Sequence, residues 1–326
     1  MLNYDFYWEP AADGGVRLLR VFGMMPEVEL PAEIEGRQVT EIGAYCFAER
    51  PHLPEHYEKT RTNKGKPFSA EPREICGSYL ERVILPDPVK KIGNLAFYNC
   101  NALTTLELSS GMTNVGSDAF MNCRNLHAIT LRCGAREKSG IRQILAQISS
   151  DMEVTFQGKN GVEAVLLFPD YYEGFDEITP AHIFGRKIEG EGFRARESFK
   201  NGIPDFAQYD QIFPKACVEE SVGTLCRLAM NRLRYPIDLG SAVRLAYEKY
   251  IKAHADEICG DAIKKRDMEQ MEFLCENHLL EQDILENGVQ YAAKAGWAEG
   301  AANFLRLKEQ YFPMKGQADR YSFEDF

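Results

Sequence analysis

Few residues in this sequence have the types and spacing that bind a metal ion or catalyse a reaction. His52 and His56 are four residues apart, a spacing that can bring two imidazoles to one face of a helix to share a metal ion. Pro54 lies between them and interrupts a helix, so we do not predict a metal site there. The Gly-x-Ser-x-Gly motif of serine hydrolases is absent, and none of the nine cysteines forms a Cys-x-x-Cys pair.

The segment 168–213 concentrates rings and carboxylates, and it is the second place where chemistry could occur. Four of its carboxylates lack the Asp-x-Asp-x-Asp-Gly spacing of a calcium loop: Asp170, Glu173, Asp176 and Glu177. The glycine-rich run 185–192 lacks the Gly-Lys-Ser/Thr ending of a phosphate loop, and its glutamates would repel phosphate. Neither pattern predicts a ligand site.

One catalytic arrangement stays open in this segment. A pocket in which His182 contacts Asp176 or Glu177 would favour a hydrolase or a small-molecule binder. Alternatively, the rings of Tyr171, Tyr172 and His182 could line a groove for a peptide. Because no catalytic motif is found, we predict that the protein is not an enzyme and has no cofactor, metal or catalytic residue.

The most regular feature of the chain is a short unit that recurs at a fixed interval. An alternating run, Val83–Leu85, comes back at Leu106–Leu108, with further copies at Val28–Leu30 and Ile129–Leu131. A fixed short period is typical of a solenoid, in which each coil must stack on a neighbour to bury its apolar side chains. A fifth strand is predicted at Val154–Phe156.

Each unit predicts a strand followed by a turn that carries an aromatic ring. Side chains alternate along a strand, so Val83 and Leu85 face inward and their neighbours face solvent. Phe47, Phe97 and Phe120 follow the strands at equivalent positions, and we expect their rings to stack. The outward strand residues are candidates for protein binding: Glu29, Arg82, Ile84, Thr105, Glu107 and Thr130.

Two smaller residues also recur in the units. Gly43, Gly93 and Gly116 occupy equivalent positions in the turn, where a Cβ atom would be crowded. Cys100 and Cys123 are also equivalent, and we interpret them as buried spacers rather than reactive thiols.

This pattern resembles the BspA-like leucine-rich repeat family. The residues that carry the resemblance are Leu80 to Pro86 and Ile92 to Cys100, with their echo in the unit that follows. The resemblance implies a curved sheet with an exposed concave face and a role in protein–protein binding. Many members of the family are associated with cell-surface adhesion, so a surface or secreted adhesin is the alternative function.

An insertion near residues 50–77 separates the first two units. Its prolines indicate a long loop, and its basic residues could form a finger that grips an acidic partner: Lys59, Arg61, Lys64 and Lys66. A solvated excursion with no binding role is the plainer interpretation. At the other end of the solenoid, Ile141, Ile144, Leu145 and Ile148 have helical spacing and predict a helix in the last coil.

From about residue 216 the apolar period becomes helical. Asp267 with Gln270, and Asp283 with Glu286, are typical of the capping box that opens a helix. The run from Ala262 is echoed by the run from Ala292, which resembles a pair of ankyrin-like helical hairpins. The usual ankyrin signature is missing, so a generic stack of hairpins is an equal alternative.

Composition limits the class of partner. The net charge of −11 argues against a general binder of nucleic acid or membrane surfaces, since such proteins present a basic field. No stretch is long and apolar enough to span a bilayer, and no export signal is visible near the N-terminus. Scattered cysteines fit a reducing compartment, and we expect a cytoplasmic protein unless a signal was removed.

Together these patterns predict an α+β chain. Residues 1–160 form a capped leucine-rich-repeat solenoid of about five short parallel strands, 161–215 form an aromatic connecting segment, and 216–326 form an all-α helical-hairpin domain. The predicted function is a non-enzymatic protein–protein interaction scaffold. Its partner is a protein or peptide, without a nucleic acid or a membrane span.

Overall fold

The computed structural model describes residues 4–50, 52–62, 71–180 and 182–313. The chain forms two compact units, Met1–Glu220 and Ser221–Phe326. The aromatic segment 161–215, which we expected as a connection, lies within the first unit.

Short strands and turns make up most of the first unit. The strands are β1 (Asp5–Pro10), β2 (Val16–Gly23), β3 (Glu27–Glu29), β4 (Glu33–Ile34), β5 (Arg37–Ile42), β6 (Glu58–Arg61), β7 (Arg73–Glu74), β8 (Arg82–Ile84), β9 (Lys91–Ile92), β10 (Thr105–Ser109), β11 (Asn114–Val115), β12 (Ala128–Arg132), β13 (Met152–Gly158), β14 (Gly161–Phe168), β15 (Tyr172–Ile178), β16 (Ile183–Glu189), β17 (Phe199–Lys200) and β18 (Ile203–Pro204). The helices are α1 (Ile141–Leu145), α2 (Gly192–Arg196), α3 (Phe206–Asp210) and α4 (Phe213–Glu219), with a 3-10 turn at Gly77–Tyr79.

The main sheet has the order β14-β13-β12-β10-β8-β3, and it confirms the predicted solenoid. The five strands from β3 to β13 run parallel, one from each coil, and β14 adds to β13 in the antiparallel sense. One row of inward side chains follows the register across the coils and is buried: Val28, Val83, Leu106, Ile129 and Val154. Alternation at period two therefore places the apolar core on one side of this sheet.

Three predicted phenyl rings form the spine of the solenoid. The centroids of Phe47 and Phe97 are 4.9 Å apart with an angle of 11° between planes, and those of Phe97 and Phe120 are 5.0 Å apart at 7°. Their spacing is close to the separation of neighbouring strands, because backbone hydrogen bonds set both distances. The Phe47 and Phe97 amides donate to the next coil, at Ala96 and Ala119.

The glycines of the turn are required by close approach of one coil to the next. A Cβ atom on Gly93 would lie 2.5 Å from the backbone nitrogen of Ala44, and one on Gly116 would lie 2.4 Å from that of Asn94. Neither glycine has a positive φ, so backbone strain does not require glycine here. Other residues are excluded because their Cβ atom would clash with the preceding coil. The expectation from sequence is confirmed, with the neighbouring backbone as its cause.

A second ladder of short strands runs beside the spine and belongs to a sheet of eight strands. β5, β9 and β11 are parallel, and β1 and β2 extend the same sheet at its beginning. The insertion near 50–77 contributes paired strands instead of only a loop: β6 pairs with β1, and β7 pairs with β2. β6 and β7 pair with the open edges of β1 and β2. The repeat period of the sequence does not predict these two pairings, because the inserted strands are not part of the repeated unit.

Helix α1 closes the end of this ladder. Ile141, Ile144 and Leu145 are buried, as their spacing predicted. Two glutamine side chains take the place of a further backbone strand. Gln143 accepts from Val115 N and donates to Thr113 O at 3.1 and 3.2 Å, and Gln147 accepts from Ala119 N and donates to Gly116 O at 2.8 and 3.0 Å.

Segment 161–215 contains regular structure rather than coil. β14 completes the main sheet, and β15 and β16 form a separate antiparallel hairpin. The buried Arg196 side chain holds this segment to the last coil by donating to the carbonyl oxygens of four residues: Ile148, Ser150, Pro169 and Gly192. Burial lowers the pKa of this guanidinium to about 10.

The second unit is helical. Its helices are α5 (Val222–Arg234), α6 (Ser241–Ala253), α7 (Ala255–Lys265), α8 (Met268–Glu276), α9 (Gln282–Lys294) and α10 (Ala298–Tyr311). Asp267 caps α8 by accepting from the amides of Glu269 and Gln270, as predicted. The second predicted cap is wrong, because α9 begins at Gln282 and places Asp283 within its first turn. Each helix buries an apolar stripe, which accounts for the change in period.

Candidate functional site

The outward side of the main sheet brings together residues that are far apart in sequence. We call its ten central residues the strand face: Glu27, Glu29, Arg82, Ile84, Thr105, Glu107, Ala128, Thr130, Glu153 and Thr155. Residues of neighbouring strands lie directly beside one another, so Glu29, Ile84, Glu107, Thr130 and Thr155 form one row and the other five form a second. The strand-face residues predicted to bind a partner therefore share one surface.

Arg82 and Glu107 lie at the centre of the strand face. The guanidinium of Arg82 is 3.8 Å from a carboxylate oxygen of Glu27 on one side and 3.8 Å from one of Glu107 on the other. At this distance and exposure the pairs are weak, and they leave the Arg82 side chain available to a ligand.

Arg132 and Asp87 extend this charge network, and the sequence reasoning did not include them. Arg132 donates to Glu107 at 2.7 Å, to Asp87 at 2.8 Å and to the Leu85 carbonyl at 2.6 Å. Arg132 lies two residues beyond Thr130 on β12, so extending the alternation by one step would have found it. Its contacts fix the Glu107 carboxylate.

The strand face and its two neighbours are acidic on balance. The carboxylates are Glu27, Glu29, Asp87, Glu107 and Glu153, against the two guanidinium groups of Arg82 and Arg132. Glu29 has no ion-pair partner among the residues that the structure describes, and its side chain is exposed. Around these charges lie Ile84 and the small residues Thr105, Ala128, Thr130 and Thr155. This surface suits a partner that offers cationic and apolar side chains together.

The predicted basic finger is partly neutralised where the structure describes it. Arg61 donates two hydrogen bonds, of 2.7 and 2.8 Å, to the Asp5 carboxylate. The Lys59 ammonium lies 4.6 Å from the centre of the Tyr7 ring. Both residues belong to β6, so they extend along a sheet edge rather than a free loop. Lys64 and Lys66 lie outside the described residues.

The aromatic candidates are separated. Tyr171 packs edge-on against Phe193, with ring centroids 5.6 Å apart, and the Arg196 guanidinium lies over its ring. Tyr172 is on the exposed hairpin. His182 contacts the Glu177 carboxylate, but its side chain is 78% exposed and that of Glu177 is 42% exposed. The contact is thus solvated, which removes the observation that a hydrolase at this segment requires.

Metal-binding residues do not gather in the part of the chain that is described. Throughout those ranges, no three side chains of His, Cys, Asp or Glu come close enough to hold an ion. Within the same ranges, no helix is both long and apolar enough to cross a membrane.

The coil geometry agrees with a comparison against known families. Residues 74–145 match the family described as "BspA type Leucine rich repeat region (6 copies)". These residues are a BspA-type leucine-rich repeat region. The coil that begins at β3 continues the same register and the same phenyl spine, so the solenoid of the structure extends N-terminally beyond the matched residues.

Two solved structures are similar to the chain. A leucine-rich repeat protein from Bacteroides capillosus ATCC 29799 is 26% identical over 38% of this chain and 76% of its own, with a TM-score of 0.28. The leucine-rich repeat protein TpLRR of T. pallidum is 22% identical over 39% of this chain and 68% of its own, with a TM-score of 0.23. No curated protein matches the sequence.

Proposed function

We propose that the protein is a non-enzymatic scaffold that binds a protein partner on the strand face of its BspA-type solenoid. The observation that carries this proposal is the register of five parallel strands, which sets outward residues from five coils side by side. A stacked surface of this kind offers area and repeated spacing, which suit a macromolecule better than a small substrate.

The charges of the strand face support a partner with a basic segment. Glu29 is exposed and free of an ion pair within the described ranges, while Arg132 holds Glu107 in place. Ile84 lies in the same row as both carboxylates and supplies an apolar contact. Because exposed charges are screened by salt, we expect the affinity for the partner to fall as ionic strength rises.

The test is capture of partners from native lysate by the immobilised protein, followed by their identification by mass spectrometry. The affinity of each captured protein is then measured with the purified partner. Ile84→Asp should abolish the capture of a genuine partner, and Glu29→Lys should weaken it. Leu245→Asp is the control, because it also replaces an aliphatic side chain with a carboxylate, at a residue that is 66% exposed on α6. A partner bound equally by wild type, Ile84→Asp and Leu245→Asp would refute binding on the strand face.

We also propose a cytoplasmic setting. All nine cysteines are free thiols in the structure, as is usual in a reducing compartment. The alternative, a surface or secreted adhesin, uses the same scaffold in a different place. Cell fractionation with antibody detection separates them, since recovery in the surface or secreted fraction would support the adhesin.

The ankyrin-like character of the helical unit stays a prediction. α9 and α10 pack against each other, and a Cβ atom on Gly288 of α9 would lie 2.6 Å from the Phe304 ring of α10. Close packing of this kind occurs in any stack of helical hairpins. A contribution of residues 221–326 to partner binding would appear as lower affinity when that unit is deleted.

A further inference from the structure

The last turn of the phenyl spine ends in a cleft of about 270 Å³. It is lined by Phe120, Asn122, Cys123 and Arg124 from the turn and by Gln147, Ile148, Ser149 and Ser150 from the residues after α1. The cleft is therefore built by turns at the end of the solenoid, apart from the residues of the strand face. Its volume equals that of about nine water molecules, which leaves room for a short length of chain.

Backbone hydrogen bonds along the spine show which way the turn amides point. Phe97 N donates to Ala119 O at 2.8 Å and Asn99 N donates to Met121 O at 3.0 Å, both in the next coil. Phe120 and Asn122 are the residues equivalent to Phe97 and Asn99 one coil later. By this equivalence their N–H groups point toward the coil that contains α1, and the cleft lies on that side.

These two amides lack the acceptor that the preceding coils supply. Across the described residues, neither Phe120 N nor Asn122 N donates to a backbone or side-chain acceptor of the chain. Gln147 accepts from the nearby Ala119 amide and donates to the Gly116 carbonyl, and among the described residues it makes no hydrogen bond to Phe120 N or Asn122 N. Both residues line the cleft, so these two unpaired N–H groups can donate to carbonyl oxygens two residues apart in a bound segment.

The side chains around the cleft favour a negative ligand. None of the eight lining residues is acidic, although the whole chain carries a net charge of −11. Arg124 is exposed and has no ion-pair partner in the portion of the chain that the structure describes. Ser149 and Ser150 add hydroxyl groups to the lining. An unpaired guanidinium beside several neutral donors suits a carboxylate.

We propose that this cleft binds a short acidic peptide segment beside the turn that carries Phe120, where the following coil supplies α1 instead of an equivalent turn. Two carbonyl oxygens of the peptide, two residues apart, accept from Phe120 N and Asn122 N. An acidic side chain of the peptide pairs with Arg124. The backbone bonds give affinity and the carboxylate gives selectivity, as in other cases where a peptide extends a hydrogen-bonded edge. This site is separate from the strand face, so it stands or falls independently of the proposed scaffold function.

The test follows backbone amides of the full-length, isotope-labelled protein by NMR during titration with acetyl-Ala-Asp-Ala-Asp-Ala-amide. We expect saturable shifts centred on Phe120 and Asn122 at about 1 mM peptide or below, typical of a short segment. The same peptide with lysine for aspartate should leave these amides unmoved. Absence of saturable shifts, or equal binding of the lysine peptide, would overturn the proposal.

Two sets of controls are needed. Small anions test whether the site requires a peptide, and charge variants test whether binding depends on Arg124 or on the charge of the whole protein. Acetate or inorganic phosphate should not reproduce the affinity of the peptide, and if either does, the site is a simple anion site and the peptide proposal fails. Arg124→Glu should lower the affinity for the acidic peptide by about tenfold, whereas Arg124→Lys should retain most of the affinity. Arg37→Glu is the matched control on β5 and should bind as wild type.

Discussion

Phe97 is the middle ring of the spine, and it is the residue whose loss should damage the solenoid most. It is fully buried and stacks on both Phe47 and Phe120. We expect Phe97→Ala to lower the free energy of unfolding by about 3–5 kcal/mol, because the change opens a cavity between two rings. Phe97→Leu should cost clearly less, since it keeps apolar volume and loses mainly the ring stacking, worth about 0.5–1.5 kcal/mol.

The two tryptophans make this measurement specific. Trp8 lies in β1 of the first unit and Trp297 lies in the helical unit. In a Trp297→Phe background, urea unfolding followed by Trp8 fluorescence reports the solenoid alone. A loss below about 1 kcal/mol for Phe97→Ala would show that the spine is not a main source of stability.

Thiol chemistry provides a second prediction for single residues. Burial raises the pKa of Cys133 to about 11 and that of Cys226 to about 12, so these thiols hold almost no thiolate at pH 8. Cys217 on α4 is exposed. Partial desolvation also raises its pKa, but reagent can reach it. We expect a disulfide reagent to modify Cys217 first in the native protein and the buried cysteines only after unfolding. Rapid modification of several cysteines, or persistence of the fast reaction in Cys217→Ser, would contradict this.

Among the elements, the end of the second ladder at β11 is closed by glutamine side chains of and after α1, which form the hydrogen bonds that a further strand would form. Gln147→Ala removes an acceptor from Ala119 N and a donor from Gly116 O. Leaving such groups unpaired costs about 1–3 kcal/mol, and we expect a loss of unfolding free energy in that range. Gln147→Glu keeps the acceptor and loses the donor, so amide hydrogen exchange at Ala119 should be fast in Gln147→Ala and stay slow in Gln147→Glu. Equal exchange in the two variants would argue against this capping role.

The helices allow the same substitution to be tested in two surroundings. Gly260 lies in α7, and a Cβ atom there would meet nothing within 4 Å. Gly260→Ala should raise stability by about 0.5–1 kcal/mol, since glycine is a poor helix former. Gly288→Ala places its methyl group against the Phe304 ring and should destabilise by about 1–3 kcal/mol. Urea unfolding followed by Trp297 fluorescence in a Trp8→Phe background compares them, and a shared sign would mean that helix propensity or packing has been misjudged.

The elements that could be predicted from sequence are those that repeat. Val83, Phe97 and Gly93 each recur at a fixed offset, so strand, spine and turn can be derived together. The hairpin β15–β16 could not be derived in this way, because the side chains of Phe175 and Phe184 are both largely exposed and leave no amphipathic pattern. Ion pairs such as that between Arg132 and Asp87 join residues 45 apart in sequence, and they emerge only when the register of the strands is known.

For the whole molecule, the prediction concerns the two compact units. Met1–Glu220 has the spine and both ladders as its core, and Ser221–Phe326 buries apolar stripes of its six described helices, including Leu225, Ile251 and Phe304. Each core lies within one unit, and a domain with its own core can in principle fold alone. We therefore expect residues 1–220 and 221–326, expressed separately, each to unfold in a single cooperative transition.

The tryptophans again provide the control, because each fragment retains one. Trp8 and Trp297 are both buried, so each folded fragment should emit at the short wavelength of a buried indole and shift to the red in urea. The midpoint of fragment 1–220 should respond to Phe97→Ala, and that of fragment 221–326 should respond to Gly288→Ala. A fragment that emits as an exposed indole without denaturant would show that its core is insufficient by itself. If both fragments unfold cooperatively, fragment 1–220 can be used alone to assay binding at the strand face and at the cleft beside Phe120.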